Sequence, residues 1–365
     1  MAKADLRDVL GIELPIIQAP MAGVQDAALA IAVSNAGGLG SLPCAMLGPE
    51  AIEAELARIR AETDRPVNVN FFCHVPPAPD DAAQARWLAA LAPYHAAFGI
   101  DPRTIGAGVQ RAPYDARAAA VLARFRPRVV SFHFGLPSPE LIRATRDWGA
   151  RILASATTVE EAVWLEANGA DIVVAQGLEA GGHRGQFLSP DLDLQAGTFA
   201  LLPQVVQAVR LPVVAAGGIA SPEAVAAAMS LGAAGVQIGT SYLLCPEATT
   251  SALHRAALVS PQARHTALTN VFSGRPARGI VNRVMRELGP MSAAAPPFPL
   301  ASAALGPLRA AAEKLGRTDF SPLWSGQNAT GCRQVPAADL TRSLARLVAR
   351  GPAAAGGAVP GGFLS

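Results

Sequence analysis

Eight short apolar runs, separated by segments with helical patterns, constrain the fold of this 365-residue chain more than any other feature. Near-continuous hydrophobicity is typical of parallel strands that helices cover on both faces. Eight such units predict an α/β protein with a closed (β/α)8 TIM barrel, and no GxGxxG motif follows a run to favour an open, doubly wound sheet. The predicted strands are Pro15–Ala19, Leu39–Leu42, Val67–Phe71, Val129–Phe134, Arg151–Ser155, Asp171–Ala175, Pro212–Ala216 and Gly235–Ile238.

A repeated Gly-Ala pair supports this alternation of helices and strands. Gly149-Ala150, Gly169-Ala170 and Gly232-Ala233 each precede a predicted strand. Glycine readily adopts the left-handed conformation that ends a helix, after which the chain enters the sheet. Helix starts have their own signals, in Thr158–Glu161 and in Ser221-Pro222-Glu223.

The pattern changes after the eighth predicted strand, and this change suggests a second lobe. We expect residues 243–321 to form a smaller, mainly helical lobe that is inserted there and covers the barrel mouth. The barrel would comprise residues 1–242 and 322–350, closed by an amphipathic helix over Asp339–Arg350. Residues 351–365, rich in Gly, Ala and Pro, predict a disordered tail.

Composition excludes several classes of function. The formal charge of +2 is nearly neutral for this length, so nothing indicates a nucleic-acid or membrane partner. The four cysteines have no metal-ligand spacing and predict reduced thiols. The first residues do not form an apolar signal segment, and glycines interrupt the uncharged run over residues 224–246. We therefore expect a cytoplasmic protein.

Two glycine-containing loops follow the seventh and eighth predicted strands. The first is Ala216–Ile219, before a helix start, and the second is Gln237–Ser241, which includes the Thr240 hydroxyl. TIM barrels commonly bind phosphate at these two loops, where bare backbone amides and a helix N-terminus favour an anion. The alternative is that the glycines only form tight strand-to-helix turns, but the position of both loops favours phosphate binding. Phosphate binding does not identify the molecule that carries the phosphate.

The loop after the sixth predicted strand, Ala175–Gly185, is the most distinctive segment. It holds four glycines around His183, at the mouth of the predicted barrel. A histidine at that place can act as a general base near neutral pH. The alternative is a histidine that only stabilises its loop by hydrogen bonding. Glu179 is a candidate to orient His183, although a solvated loop carboxylate is the simpler interpretation.

Other polar residues are weaker candidates. Asn70 lies in an apolar strand and suits either a flat polar ring or a satisfied core amide. His133 is expected to be a packed, hydrogen-bonded core residue, and His74 either lines a substrate pocket or lies at the surface. The remaining histidines have no partner that the sequence identifies: His95, His254 and His265.

The scarcity of lysine narrows the chemistry further. Only Lys3 and Lys314 are present, and neither lies on a predicted strand, so Schiff-base catalysis in the barrel is excluded. Most strand ends also lack the carboxylate and histidine clusters of metal-dependent barrels. A site that is rich in glycine and backbone amides suits a large, flat redox cofactor.

Several motifs together resemble the nitronate monooxygenases, formerly 2-nitropropane dioxygenases, of the bacterial class I type. The resemblance covers nearly the whole chain except the tail. The matching segments are Ile17–Gly23, Ser34–Gly40, Asn68–His74, Ser131–Gly135, Val174–Gly185, Val213–Ile219, Val236–Thr240, Ser273–Arg275, Ala277–Gly279, and Trp324 with Gly326-Gln327.

The resemblance implies an FMN-containing barrel without a metal, in which His183 is the catalytic base. Met21 and Ala22 would lie along the flavin ring. The further FMN contacts that it implies are Asn70, Gln176, Gly181, Gly218, Gln237, Ile238, Gly239 and Thr240.

The implied reaction converts an alkyl nitronate, such as propionate 3-nitronate, or a nitroalkane, with O2 to a carbonyl compound and nitrite through a flavin semiquinone. The resemblance leaves open whether the protein is a monomer or a homodimer. One alternative is an NAD(P)H:quinone or enoyl-thioester reductase of the same flavin-barrel superfamily. The other is a flavin-free phosphate-binding lyase or isomerase.

Overall fold

The computed structural model describes residues 4–106 and 111–348, and the predicted tail at 351–365 lies outside these ranges. The strands, in chain order, are β1 (Ile16–Gln18), β2 (Gly40–Pro43), β3 (Val67–Phe72), β4 (Val129–His133), β5 (Arg151–Ala156), β6 (Ile172–Gln176), β7 (Gly182–His183), β8 (Val213–Ala216), β9 (Gly235–Ile238), β10 (Thr266–Thr269) and β11 (Ala277–Ile280).

Eight of these strands form a parallel barrel. Their order is β1-β9-β8-β6-β5-β4-β3-β2, and a parallel bridge between Ile17 and Leu39 joins the two outer strands. Each predicted strand is confirmed, with ends that differ from the prediction by no more than one residue. The reason is that both faces of these strands are covered, so each strand is a compact apolar run.

Helices connect the barrel strands and continue after β9. They are α1 (Leu6–Leu10), α2 (Ala27–Asn35), α3 (Pro49–Glu62), α4 (Asp81–Ala97), α5 (Ala116–Phe125), α6 (Pro139–Arg146), α7 (Val159–Ala167), α8 (Thr198–Ala208), α9 (Pro222–Ser230), α10 (Ala252–Val259), α11 (Arg283–Glu287), α12 (Ala301–Lys314) and α13 (Ala337–Ala345).

The predicted helix boundaries have the expected physical basis. Thr158 and Ser221 cap α7 and α9 by accepting hydrogen bonds from backbone amides. Gly149, Gly169 and Gly232 have φ values of 85°, 103° and 96°, the left-handed region in which a Cβ would be strained. The closing helix α13 begins at Ala337, two residues before the predicted start at Asp339, and ends at Ala345.

The core has separate layers inside and outside the barrel. Inward-facing side chains such as Ile17, Leu153 and Val214 pack with Leu6 and Leu10, so α1 closes the end of the barrel at which the strands begin. A second layer lies between the strands and the outer helices, and includes residues of α2, α7, α8, α9 and α13. The carboxyl ends of the strands are therefore the end at which a ligand can enter.

The structure over this open end combines several chain segments. Residues 243–321 contain α10, α11 and α12, and they also contain β10 and β11, which form an antiparallel sheet with β7. Helix α4, which follows β3, packs against α12, and Trp87 Nε1 donates a hydrogen bond to the Ala301 carbonyl at 3.0 Å. The expectation of a mainly helical insertion missed this sheet because its strands pair with a distant loop.

Within the described ranges, no helix is both long and apolar enough to cross a membrane. All four cysteines are free thiols. The described residues include no group of three or more His, Cys, Asp or Glu side chains placed to hold a metal ion.

Candidate functional site

A cavity at the carboxyl ends of the barrel strands brings all the predicted site residues together. Strand ends and the loops after them supply its walls, and the structure over the barrel supplies its roof. The predicted residues that line it are Ala22, Asn70, Gln176, Gly181, His183, Gly218, Gln237, Ile238, Gly239 and Thr240.

One end of the cavity is lined by backbone amides. Gly218 has a φ of 72°, and neither its amide nor that of Gly239 donates a backbone hydrogen bond within the described ranges. The Thr240 hydroxyl accepts a hydrogen bond from the Gly326 amide at 2.9 Å, which leaves its own hydrogen free to be donated. Helix α9 starts beside this end, so the donors present there suit a phosphate group.

Polar amides line the wall that a flat ring would contact. Asn70 Nδ2 donates to Ser131 Oγ at 2.9 Å, whereas its Oδ1 accepts no hydrogen bond among the described residues. The Gln237 side chain likewise has no hydrogen-bond partner in those ranges. One free acceptor and one free amide, next to the apolar Ala22, can meet the edge of a polar heterocycle.

His183 is held through both its backbone and its ring. Its carbonyl oxygen accepts hydrogen bonds from Gln176 Nε2 at 3.0 Å and from the His133 ring at 3.1 Å. Its Nε2 lies 2.9 Å from Ser273 Oγ. Because β7 pairs His183 with Ala277 of β11, the histidine lies in a sheet rather than on a free loop.

Four aromatic side chains surround the His183 ring. Their ring centroids lie 5.4–6.1 Å from that of His183, and they belong to Phe72, Phe134, Phe298 and Trp324. Their apolar surfaces border the imidazole, which remains partly exposed to the cavity. The available space beside His183 suits a small substrate.

Burial keeps the imidazole uncharged. Desolvation lowers the pKa of His183 well below its usual range, and the nearby charge of Arg111 lowers it further. Burial also lowers the pKa of His133 to about 3. A neutral imidazole can accept a proton at physiological pH, which a protonated one cannot.

Arg111 is the only lysine or arginine among the described residues that line the cavity. Every Asp and Glu side chain of the protein lies within the described ranges, and none forms an ion pair with Arg111. Its one side-chain hydrogen bond in those ranges is to Ser302 Oγ at 3.4 Å. Its guanidinium lies 5.7 Å from the ring centroid of Phe298, one of the four aromatic residues that surround His183. This half-buried cation, which has no ion-pair partner among the described residues, can bind an anion.

The remaining candidates have other roles. The interpretation of Glu179 as a solvated carboxylate or a partner of His183 is wrong, because Glu179 caps α8 by accepting from the Thr198 amide at 2.8 Å. His133 is hydrogen-bonded as predicted, to Ser155 and to the His183 carbonyl. His254, for which the sequence identified no partner, lines the cavity with its Nε2 3.1 Å from the Trp324 carbonyl.

His74, His95 and His265 do not line the cavity. His74 is buried against Phe298, His95 contacts the Ala304 carbonyl, and His265 is exposed. Sequence reasoning missed the roles of Arg111 and Ser273. Ser273 belongs to a segment that carries the family resemblance, whereas no local pattern distinguishes Arg111 from the other arginines.

Comparisons with known proteins agree with this fold. A model of the nitronate monooxygenase family matches residues 3–346. A protein of Pseudomonas aeruginosa named nitronate monooxygenase is 46% identical over 338 residues, which cover 92% of this chain and 96% of the relative. One of Paraburkholderia phytofirmans with the same name is 43% identical and covers 94% of each chain.

Two solved structures have a fold similar to that of this chain. The structure of nitroalkane oxidase from Streptomyces ansochromogenes superimposes with a TM-score of 0.83 at 40% identity, over 94% of this chain and 97% of that one. FabK from Thermotoga maritima gives a TM-score of 0.68 at 25% identity, over 95% of this chain and 96% of that one.

The barrel and its cavity thus define a TIM-barrel oxidoreductase. The chain belongs to the nitronate monooxygenase family, and this membership implies a flavin cofactor.

Proposed function

We propose that this protein is an FMN-dependent nitronate monooxygenase. It oxidises alkyl nitronates such as propionate 3-nitronate, and nitroalkanes as well, with O2 to carbonyl compounds and nitrite. The observation that carries the proposal is His183, held by Gln176, His133 and Ser273 in a cavity that also contains Arg111 and has free amides at its other end.

The residues of the cavity fit FMN. The Gly218 and Gly239 amides and the Thr240 hydroxyl would hold the phosphate, while Asn70 and Gln237 would contact the ring edge. Ala22 provides an apolar contact for the ring, and Gly181 and Ile238 complete the same walls. FMN bound there would supply the one-electron redox chemistry between the nitronate and O2.

His183 serves as the general base for neutral nitroalkanes. It takes the α-proton of a nitroalkane, and the surrounding aromatic side chains border the imidazole that receives it. A preformed nitronate has already lost this proton, so its oxidation does not need the base. Proton transfer by a positioned side chain is typically worth about 10²–10⁴-fold in rate.

Arg111 favours an anionic substrate. Nitronates are anions, and propionate 3-nitronate carries a second negative charge on its carboxylate. The Arg111 guanidinium lies next to Phe298, whose ring centroid is 5.4 Å from that of His183. A carboxylate a few bonds from the reacting carbon would therefore reach Arg111, while the reacting carbon stays beside His183. Residues 243–321, together with α4, would cover the bound substrate.

The principal alternative is a reductase of the same superfamily that oxidises NAD(P)H. Hydride transfer to a flavin needs no general base, so that function leaves the restrained, neutral His183 unexplained. The test is an aerobic assay of the purified holoenzyme with propionate 3-nitronate, which follows oxygen uptake and nitrite. An anaerobic sample mixed with NADH is the control. Rapid oxygen uptake with nitrite supports the proposal, whereas inert nitronate and rapid flavin bleaching by NADH would overturn it.

A further inference from the structure

Ser273 is the only side chain in the described ranges that hydrogen-bonds the His183 ring, with Oγ 2.9 Å from Nε2. The serine is buried, with an exposed fraction of 1%. Its loop is tightly constrained, because a Cβ on the next residue, Gly274, would lie 2.1 Å from the Pro296 carbonyl oxygen. The Gly274 amide also donates to the Asn270 carbonyl at 2.7 Å. The Ser273 hydroxyl is therefore held at a defined place.

This contact leaves a single ring nitrogen of His183 for the substrate. Nε2 is occupied by Ser273, and the side chains of Gln176 and His133 hold the His183 backbone by hydrogen bonds to its carbonyl oxygen. Nδ1 makes no hydrogen bond among the described residues, and His183 lines the cavity. Any proton that His183 takes from a ligand must therefore go to Nδ1.

The tautomer of His183 depends on where Ser273 donates its hydrogen. A serine hydroxyl has one hydrogen to donate and can accept at the same time. Ser273 Oγ lies 3.4 Å from the Arg275 carbonyl oxygen, which can accept this hydrogen and accepts no other hydrogen bond within the described ranges. With its hydrogen directed there, Oγ accepts a hydrogen bond from Nε2–H.

We propose that Ser273 is a positioning residue that holds His183 in the Nε2–H tautomer, so that Nδ1 presents its lone pair to the substrate. The use of Nδ1 as a base depends on the proposed function above, but the tautomer itself does not. The two can therefore fail separately.

The direct test is the ¹⁵N NMR spectrum of the holoenzyme labelled at histidine. Comparison with His183→Asn assigns the two ring nitrogens of His183. We expect a protonated Nε2 and an unprotonated Nδ1 in the wild-type protein, and a mixture of tautomers in Ser273→Ala. Ser273→Thr retains the hydroxyl and should restore the wild-type pattern. The matched control is Ser292→Ala, which removes a serine that does not contact His183.

A protonated Nδ1 in the wild-type spectrum would overturn the proposal, and this result does not depend on whether Ser273→Ala folds. An unchanged tautomer in folded Ser273→Ala would overturn it as well. If the wild-type protein does not oxidise nitronate, the proposed function is refuted, but the tautomer result still stands.

A second readout separates positioning from general damage. In D2O without oxygen, His183 should catalyse exchange of the α-hydrogens of nitroethane, and Ser273→Ala should reduce this catalysis about tenfold, part of the roughly 10²–10⁴-fold value of a positioned base. Oxidation of preformed ethyl nitronate should decrease less. Equal decreases in the two assays would show that Ser273 acts only on the structure of the cavity.

Discussion

The side chain of Gln176 donates a hydrogen bond to the backbone carbonyl of His183 at 3.0 Å, and so joins the end of β6 to the strand that carries the proposed base. Its Oε1 accepts from the Gly185 amide at 2.8 Å. One buried side-chain amide thus binds the backbone at His183 and at Gly185, on the two sides of Arg184. The family resemblance assigns Gln176 to the cofactor, and the geometry adds a role in holding the histidine.

We predict that Gln176→Leu destabilises the protein by about 1–3 kcal/mol, because it leaves the buried Gly185 amide without its acceptor. Nitroalkane turnover should decrease too, since His183 loses one of its restraints. Urea denaturation of the holoenzyme measures the first effect and steady-state kinetics the second. Gln204→Leu is the control, because Gln204 is exposed and bonds only within α8. Equal stability of the two variants would contradict the structural role.

We predict that His183→Asn retains FMN and loses turnover of neutral nitroalkanes by about 10²–10⁴-fold, because asparagine cannot accept the α-proton. Oxidation of a preformed nitronate should fall much less. The comparison requires flavin content by absorbance and oxygen uptake with nitroethane and with ethyl nitronate. Equal losses on the two substrates would show that His183 is not the base.

We predict that Arg111→Gln raises KM for propionate 3-nitronate about tenfold, since a hydrogen bond to a charged group is worth roughly 1.5–3 kcal/mol. The increase for ethyl nitronate, which lacks the carboxylate, should be smaller. Arg111→Lys should retain part of the affinity because it retains the charge.

The control for Arg111 is Arg103→Gln. Arg103 is exposed and paired with Asp101. Its replacement therefore changes the net charge of the protein as much as Arg111→Gln does, but leaves the cavity unchanged. If Arg111→Gln has the same KM as Arg103→Gln, the carboxylate does not bind at Arg111.

Acid should destabilise the protein through its buried histidines. Burial lowers the pKa of His254 from 6.5 to about 4, so this ring stays neutral in the folded state while the unfolded chain takes up a proton below about pH 6.5. Its contribution to stability is therefore complete above about pH 6.5 and is lost as the pH falls toward 4. One pKa unit corresponds to about 1.4 kcal/mol, so the shift amounts to roughly 3 kcal/mol.

His254→Gln tests this pH dependence, because glutamine retains a donor for the Trp324 carbonyl but does not titrate. The free energy of unfolding should fall less in the variant than in the wild-type protein when the pH is lowered from about 7 to about 4.5. Parallel curves for the two proteins would mean that His254 is not kept neutral by the fold.

Much of the barrel could be predicted from the sequence. Each strand is a short apolar run because both of its faces are covered, and glycines such as Gly169 mark the turns that precede strands. These are local signals that each segment carries by itself. The elements that cover the barrel mouth have weaker sequence patterns, because β7, β10 and β11 become strands only through pairing with one another.

The candidate site divides in the same way. Glycine loops and a histidine at a strand end drew attention to Gly218 and His183 because barrel topology places strand ends at one mouth. Arg111 and Ser273 could not be identified as neighbours of His183, since 72 and 90 residues of chain separate them from it. Only the packing of α4, α12 and the small sheet brings these segments over the barrel.

The sequence by itself determined the class of fold, the positions of its strands and the end of the barrel at which the candidate site lies. The reason is that hydrophobic periodicity and glycine placement control backbone structure over a few residues. The tertiary structure alone decided the state of the site. Desolvation favours the neutral form of His183, no Asp or Glu forms an ion pair with Arg111, and Ser273 selects the ring nitrogen that meets the substrate. These properties depend on desolvation and on contacts between distant segments, which local sequence does not encode.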